Sequence, residues 1–503
     1  MARVTLDIPL NRVEGDLDIR VTIEDGTIVD AQSIGTLYRG FENMLQGRDP
    51  MDALVITPRI CGICSITHLT ASVKAIEHAS GIVPPPQAVR MRNLSILAET
   101  VQSDLRQFFL MFVADFAHQS YQNHTFFELA QRLYAPLKGS ASIEALKASK
   151  EILKVVAIIG GQWPHTSHMV PGGICTIPTL IDMTLAENHI DTTTQWYEQA
   201  VLGDSLENFQ QQVTSQEALY AWAKQHPDTH LAYFISMSQE AGLMAYGRSY
   251  GNFLSYGIVD DPESPSQSLI RSGTYSDEGW AALDLNLIAE DLSHSWFKQT
   301  PVVQPPSEGK TEPDPSVDAG YSWGKAPRYN GQPMQTGPIA QALVDGDALF
   351  IDLYQQQGDS VFVRELARLL RPVKHLAHLK QQVNEVLTHF DELSYIPPRQ
   401  NFSGEGVGIT EAARGALGHW LRIENGQIEH YQIITPTAWN ASPKDQTGQP
   451  GAWEKALIGQ TLKDPDNPME MGHIIRSFDP CLVCTVHAVG DLSTPQTHYF
   501  GVN

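Results

Sequence analysis

The sequence predicts an α+β fold, mainly helical: a large helical bundle with small antiparallel sheets from the N- and C-terminal regions. Three observations carry this. Strand-like alternation appears near both ends, each time around a hairpin dipeptide. Apolar residues at three-to-four spacing dominate the stretch between them. Each end also holds a Cys-x-x-Cys pair, which gives the two ends a reason to meet.

IRVTIEDGTIVDA alternates apolar and polar residues around Asp25-Gly26. HWLRIENGQIEHYQI does the same around Asn425-Gly426. Asp-Gly and Asn-Gly tolerate the positive φ of a tight hairpin turn, so both segments read as hairpins. Residues 65–80 have helical periodicity and stop at Gly81. After Pro84-Pro85-Pro86 a second helical pattern runs to about residue 118. Further helices are expected near 143–159, 183–225 and 359–393. The stretch 301–327 is rich in Pro, Gly and charge and reads as a surface excursion. No repeat or linker divides residues 1–487, which read as a single catalytic domain.

The bulk composition removes several function classes. Of 503 residues, 42% are hydrophobic and 18% charged, which suits a folded chain. The net charge of −23, with no basic stripe, excludes nucleic acid as an expected partner. No apolar run reaches the roughly 18 residues of a membrane span. The N-terminus lacks an apolar signal core, so the expected location is cytoplasmic, with membrane association only through partners. Five cysteines make no disulfide framework.

Four of the five cysteines form the pairs Cys61/Cys64, in RICGICSITH, and Cys481/Cys484, in DPCLVCTVH. Four thiols admit a structural zinc, a redox pair or a soft transition metal. Zinc ribbons keep their pairs within a few dozen residues, and a thioredoxin-like site needs a βαβ setting that is missing here. His68 lies one helical turn after Cys64, where its ring is placed to tune a thiolate. Arg59 and Asp479 each stand two residues before the first cysteine of a pair, as supporting groups. Cys481, Cys484 and His487 recur every three residues and would share one helical face. Cys175 is unpaired and reads as a free core cysteine.

Together, RxCGxC with a following histidine and DPCxxCxxH resemble the large subunit of nickel–iron hydrogenases. NRVEGD, YRGFENMLQGRDP, EAARGALGHW and ITPTAWNASPKD resemble further family blocks in the same order, so the likeness covers nearly the whole chain. The resemblance implies a Ni–Fe centre with cyanide and carbon monoxide on iron. Cys61 and Cys481 would bind nickel alone, and Cys64 and Cys484 would bridge both metals. Glu14 matches the family's proton-relay glutamate, and Arg414 the arginine above the metals. Asp104 and Asp479 would be carboxylates beside it. Glu42, His487 and a backbone carbonyl near Ile433 match a Mg2+ site. This chain departs from the usual pattern at Ser103, Leu105 and Ala413, where histidines and a proline are common. Ile63 and Phe112 are expected to narrow a gas passage.

By the same resemblance the chain is the catalytic subunit of an uptake hydrogenase, oxidising H2 and passing electrons to an iron–sulfur small subunit. The motif combination is closest to the cytoplasmic uptake and sensory group that holds the cyanobacterial-type uptake enzymes. The alternative is an H2 sensor with low turnover. Sensors of that group generally lack a cleavable tail, whereas residues 488–503 follow His487 here and read as a maturation peptide. Nickel-insertion proteins, a maturation endopeptidase and a higher oligomer of heterodimers complete the expected partners. A homologue without metal, like the related subunit of respiratory complex I, is opposed by the intact cysteine quartet.

Overall fold

The structure is a computed structural model that describes residues 3–9, 12–13, 17–176, 178–399, 401–462 and 468–481. Both expected hairpins are present. Strands β1 (Arg3–Pro9), β2 (Leu17–Glu24) and β3 (Thr27–Gly35) form an antiparallel sheet. Asp25 and Gly26 at its turn have φ of 50° and 80°. Near the other end, β4 (Gly404–Ala412), β5 (Gly415–Glu424) and β6 (Gln427–Ile434) repeat the design, with Asn425 and Gly426 at 52° and 77°.

The helical body also follows the sequence pattern. Helix α1 (Ser65–Ser80) ends at Gly81, whose φ of 69° stops the helix at no steric cost. Helix α2 (Pro86–Arg106) continues through a π turn and a 3-10 turn to Ala117. Helices α3 (Ser140–Gly160), α4 (Leu180–Tyr197) and α5 (Val361–Thr388) pack with α2 into the bundle. Every residue of α2 from Gln87 to Leu105 is buried. A helix enclosed on all sides must pair its polar side chains internally, and Arg92 does so with Glu77 at 2.8 Å.

Close contact between α1 and β4 sets the position of the first cysteine pair. Gly404, Gly406 and Gly408 alternate along one strand face and lie on Ala79, Ala75 and Ala71, four residues apart along α1. A Cβ on these glycines would sit 2.2, 1.9 and 1.9 Å from the three carbonyl oxygens. Only glycine allows this approach.

The chain ends interlock as their shared motif requires. Ile28 donates to Gln460, and Gly459 back to Ile28, at 2.9 and 2.8 Å. Ser33 donates through its backbone to Glu454 at 2.8 Å. Helix α6 (Met469–Ser477) then delivers the second cysteine segment beside α5.

Three expectations need correction. Residues 183–225 are not one helix: the chain leaves it at Gly203, with φ of 89°, and restarts at Ser205 and Ser215, each capping a new helix with its hydroxyl. The span 253–329 is largely short strands and loops, including the hairpin Gly273–Ser276 to Gly279–Ala281. Cys175 is exposed rather than buried, because Ile174, the residue before it, takes the inward position. Within 301–327, Gln304, Pro306, Thr311 and Lys325 are buried against the body, and other residues face solvent.

Candidate metal centre

Cys61 follows a 3-10 turn, Thr57–Arg59, and Cys64 sits at the N-terminus of α1. Cys481 follows α6, where its backbone N–H donates to Thr437 Oγ1 at 3.1 Å. Cys61 and Cys481 are 420 positions apart, yet their sulfurs lie 3.4 Å from each other. Cys64 belongs to the same buried cluster, against which Ile63 packs. Cys484, His487 and Glu14 lie outside the described residues. Among the described residues, no three His, Cys, Asp or Glu side chains close a metal cage on their own.

Arg414 occupies the tip of the two-residue turn joining β4 to β5. Its Nη1 donates to Cys64 Sγ at 3.3 Å, its Nε to the Asp479 carbonyl at 3.0 Å, and Nη2 stands 3.1 Å from Asp479 Oδ1. Burial opposes its charge, but Asp479, Cys481, Cys64 and Cys61 more than restore it, so the guanidinium stays protonated. A fixed cation beside thiols stabilises their ionised form, which is the form that binds metal. Asp479 is held at φ 52° immediately before Pro480. Asp104 does not touch Arg414 directly; it is gripped by Arg368 and Arg371 of α5 at 3.0 and 2.8 Å.

His68 does not sit alone beside Cys64. Its Nδ1 pairs with His419 Nε2 at 3.2 Å, and His419 Nδ1 with the Tyr431 hydroxyl at 2.9 Å. Tyr431 donates onward to Ser72 at 3.1 Å. Burial lowers His68 to about 4, with Cys64 pulling the other way, so the ring is neutral near pH 7. Arg59 is not brought to the sulfurs: it is exposed and donates to the Val55 carbonyl. Arg39, also exposed, donates at 2.5 Å to the carbonyl of Ile60, the residue before Cys61.

At the expected magnesium position, Glu42 accepts the Ile433 N–H at 3.0 Å. Lys325 stands 3.4 Å from Glu42 and 3.5 Å from Glu290. Burial pushes the Glu290 carboxyl up, against the pull of Lys325. The Glu42 carboxylate is an oxygen donor of the kind a hard cation that keeps its waters takes.

Sequence reasoning missed Arg368, Arg371, Glu99, His419 and Lys325. Glu99 accepts five donors around the start of α1: Ser65 Oγ, the Ile66 and Thr67 N–H groups, Thr67 Oγ1 and Trp163 Nε1. It anchors the helix end that carries Cys64. Its legible signal is a carboxylate in the middle of a helix that is buried on every side, where Asp104 is the other. Phe112 packs with Phe116, Phe234 and His473, not among the contacts of the thiol cluster.

The profile of the nickel-dependent hydrogenase family matches residues 39–133 and 118–487. The chain is 31% identical to the large subunit of a periplasmic [NiFeSe] hydrogenase from Desulfomicrobium baculatum, over 100% of this chain and 98% of that protein. It is 28% identical to the uptake hydrogenase large subunit of Rhodobacter capsulatus, over 98% and 96%. A solved structure of the H2-activated [NiFeSe] hydrogenase of Dm. baculatum superposes with a TM-score of 0.84 at 29% identity, covering 97% of this chain and all of that one. The chain therefore belongs to the nickel-dependent hydrogenase family. It is a hydrogenase large subunit, and an enzyme.

The thiol cluster fits the Ni–Fe group of this family. The three described thiols are soft and buried, and Arg414 favours their ionised form. All four positions of the two pairs are cysteine, so the donor set is sulfur throughout.

Proposed function

We propose that this chain is the catalytic subunit of an uptake-type hydrogenase that oxidises H2 and hands electrons to an iron–sulfur small subunit. The observation that carries the reading is the meeting of Cys61 and Cys481, with Arg414 on Cys64, where no other fold requirement demands three thiols. Its relatives are large subunits or large chains, one of them of an uptake enzyme, which supports a heterodimer and the uptake direction.

Cys61, Cys64, Cys481 and Cys484 would hold the group, which when bound supplies the site of heterolytic H2 cleavage. The chain's own residues do the rest. Arg414 fixes positive charge beside the thiols that would hold the group. Asp479 orients Arg414 through both its carbonyl and its carboxylate. The neutral His68, with its tautomer set by His419 and Tyr431, supports the Cys64 thiolate. Glu14 takes the proton from a thiolate and passes it outward.

The same reading assigns cyanide and carbon monoxide to iron and Mg2+ to Glu42, His487 and the backbone near Ile433. It makes residues 1–487 the mature catalytic domain and places the enzyme in the cytoplasm, in the cyanobacterial-type uptake group, as a higher oligomer of heterodimers. Metal analysis and infrared spectroscopy of the purified complex test it. Nickel, iron and carbonyl and cyanide bands are expected, with dye reduction under H2. Zinc in place of nickel, or a nickel-loaded complex inert toward H2, would refute it.

A further inference from the structure

Arg368 and Arg371 stand about one turn apart on α5, and both reach the hairpin tip that carries Arg414. Arg371 Nε and Nη2 bind the two oxygens of Asp104 at 2.8 and 2.5 Å, and Nη2 also donates to the Ala413 carbonyl at 2.6 Å. Arg368 Nη1 donates to Asp104 at 3.0 Å and to Ala413 at 3.2 Å, and stands 3.2 Å from the Asp479 carboxylate. Ala413 directly precedes Arg414. In a two-residue turn, the orientation of that one peptide sets where the next side chain points. Two charged donors on its carbonyl fix the orientation more firmly than neutral partners would.

Arg371 differs from Arg368 in what lies on its other side. It lines a cavity of about 320 Å3, which also touches Asp345 and Lys374 near the surface. The Arg371 side chain is 4% exposed, and its Nη1 has no partner among the described residues. His375, buried in the same wall, has both ring nitrogens without partners among the described residues. Buried polar atoms that face a roomy cavity are satisfied by water. Arg368 does not line the cavity.

We infer that Arg371 is a positioning residue for Arg414, acting through Asp104 and the Ala413 carbonyl, and that the cavity is a water-filled vestibule from which its guanidinium can be replaced. The inference rests on the reading of Arg414 as the cation above the metals. Removing the side chain in Arg371→Ala would extend the vestibule up to Asp104. A free guanidinium ion has the same planar fork and can grip carboxylate and carbonyl together. A lysine ammonium carries the charge but is a point donor and cannot do both.

The test uses the purified heterodimer, with nickel and iron at parental levels. Arg371→Ala is expected to lower kcat for H2 oxidation about 10- to 100-fold, with KM for H2 little changed. Millimolar guanidinium should restore most of that rate saturably, and calorimetry should show it binding the variant complex and not the parent. Parental kcat in loaded Arg371→Ala overturns the inference, as does a loss that guanidinium neither relieves nor binds to. If Arg371→Ala does not load its metals, Arg371→Lys decides: the same loss in kcat supports the clamp, and a parental rate overturns it. Arg414→Lys separates the two readings. Activity retained there sinks the role of Arg414 itself, whereas inactive Arg414→Lys beside fully active Arg371→Ala sinks only the clamp.

Discussion

Replacing Asp115 with asparagine removes the charge that joins the two chain ends. Asp115 is fully buried, between Arg12 of the N-terminal loop and Arg476 of α6. Arg476 Nη1 donates to it at 2.6 Å, Arg12 Nη2 donates to its other oxygen, and His473 Nδ1 lies 3.7 Å away. Burial alone would raise the carboxyl, but Arg12, Arg476 and His473 outweigh it and pull it from 3.8 to about 2. A drop of that size corresponds to about 2 kcal/mol of folding free energy. Asparagine also replaces a carboxylate with a neutral amide beside the Arg476 guanidinium, whose side chain is only 8% exposed. Breaking a buried pair from one side costs about 3–5 kcal/mol. The expected destabilisation at pH 7 is therefore about 2–5 kcal/mol. It should be accompanied by lower nickel content, because Arg476 stands five residues before Cys481. Because the folded carboxyl lies below its ordinary value, its contribution is complete above about pH 4 and disappears as pH falls toward 2. Parent and variant should thus converge in acid. Unfolding followed by tryptophan fluorescence, with metal analysis alongside, measures both effects. A variant with parental stability at pH 7 and full nickel would refute the reasoning.

Glu14→Gln should keep the metals and lose most H2 oxidation, about 100-fold or more for a missing proton acceptor; full turnover in a metal-replete variant rejects the role. Intact-mass measurement of the active, nickel-loaded subunit should find it ending at His487, after cleavage of the His487–Ala488 bond, and a chain still ending at Asn503 would count against maturation by tail removal. Gly406→Ala places a methyl 1.9 Å from the Ala75 carbonyl oxygen. It should cost about 1–3 kcal/mol and lower the yield of folded protein, and an unchanged unfolding midpoint would show that β4 can move away from α1.

Some of this protein is written locally. The hairpins at Asp25-Gly26 and Asn425-Gly426 follow from residues that accept positive φ, and the end of α1 follows from Gly81. The cysteine spacing, with its flanking residues, pointed to the metal chemistry before any contact was known. Other features have no short-range signal. Ser205 and Ser215 offered caps, but only packing decided that 183–225 should break there. Arg59 and Arg39 are equally basic in sequence and both are exposed, yet the fold bonds Arg59 to the Val55 carbonyl and Arg39 to the Ile60 carbonyl beside Cys61. Arg368 and Arg371 look like ordinary helix residues; their partner Asp104 lies more than 260 positions away, on α2. Ion pairs between distant segments leave no periodicity in a single sequence. The thiols that meet, Cys61, Cys64 and Cys481, were therefore legible in the chain, while the charges that hold Arg414 beside them emerged only when α2, α5, the β4–β5 turn and Asp479 came together in a space that water cannot screen.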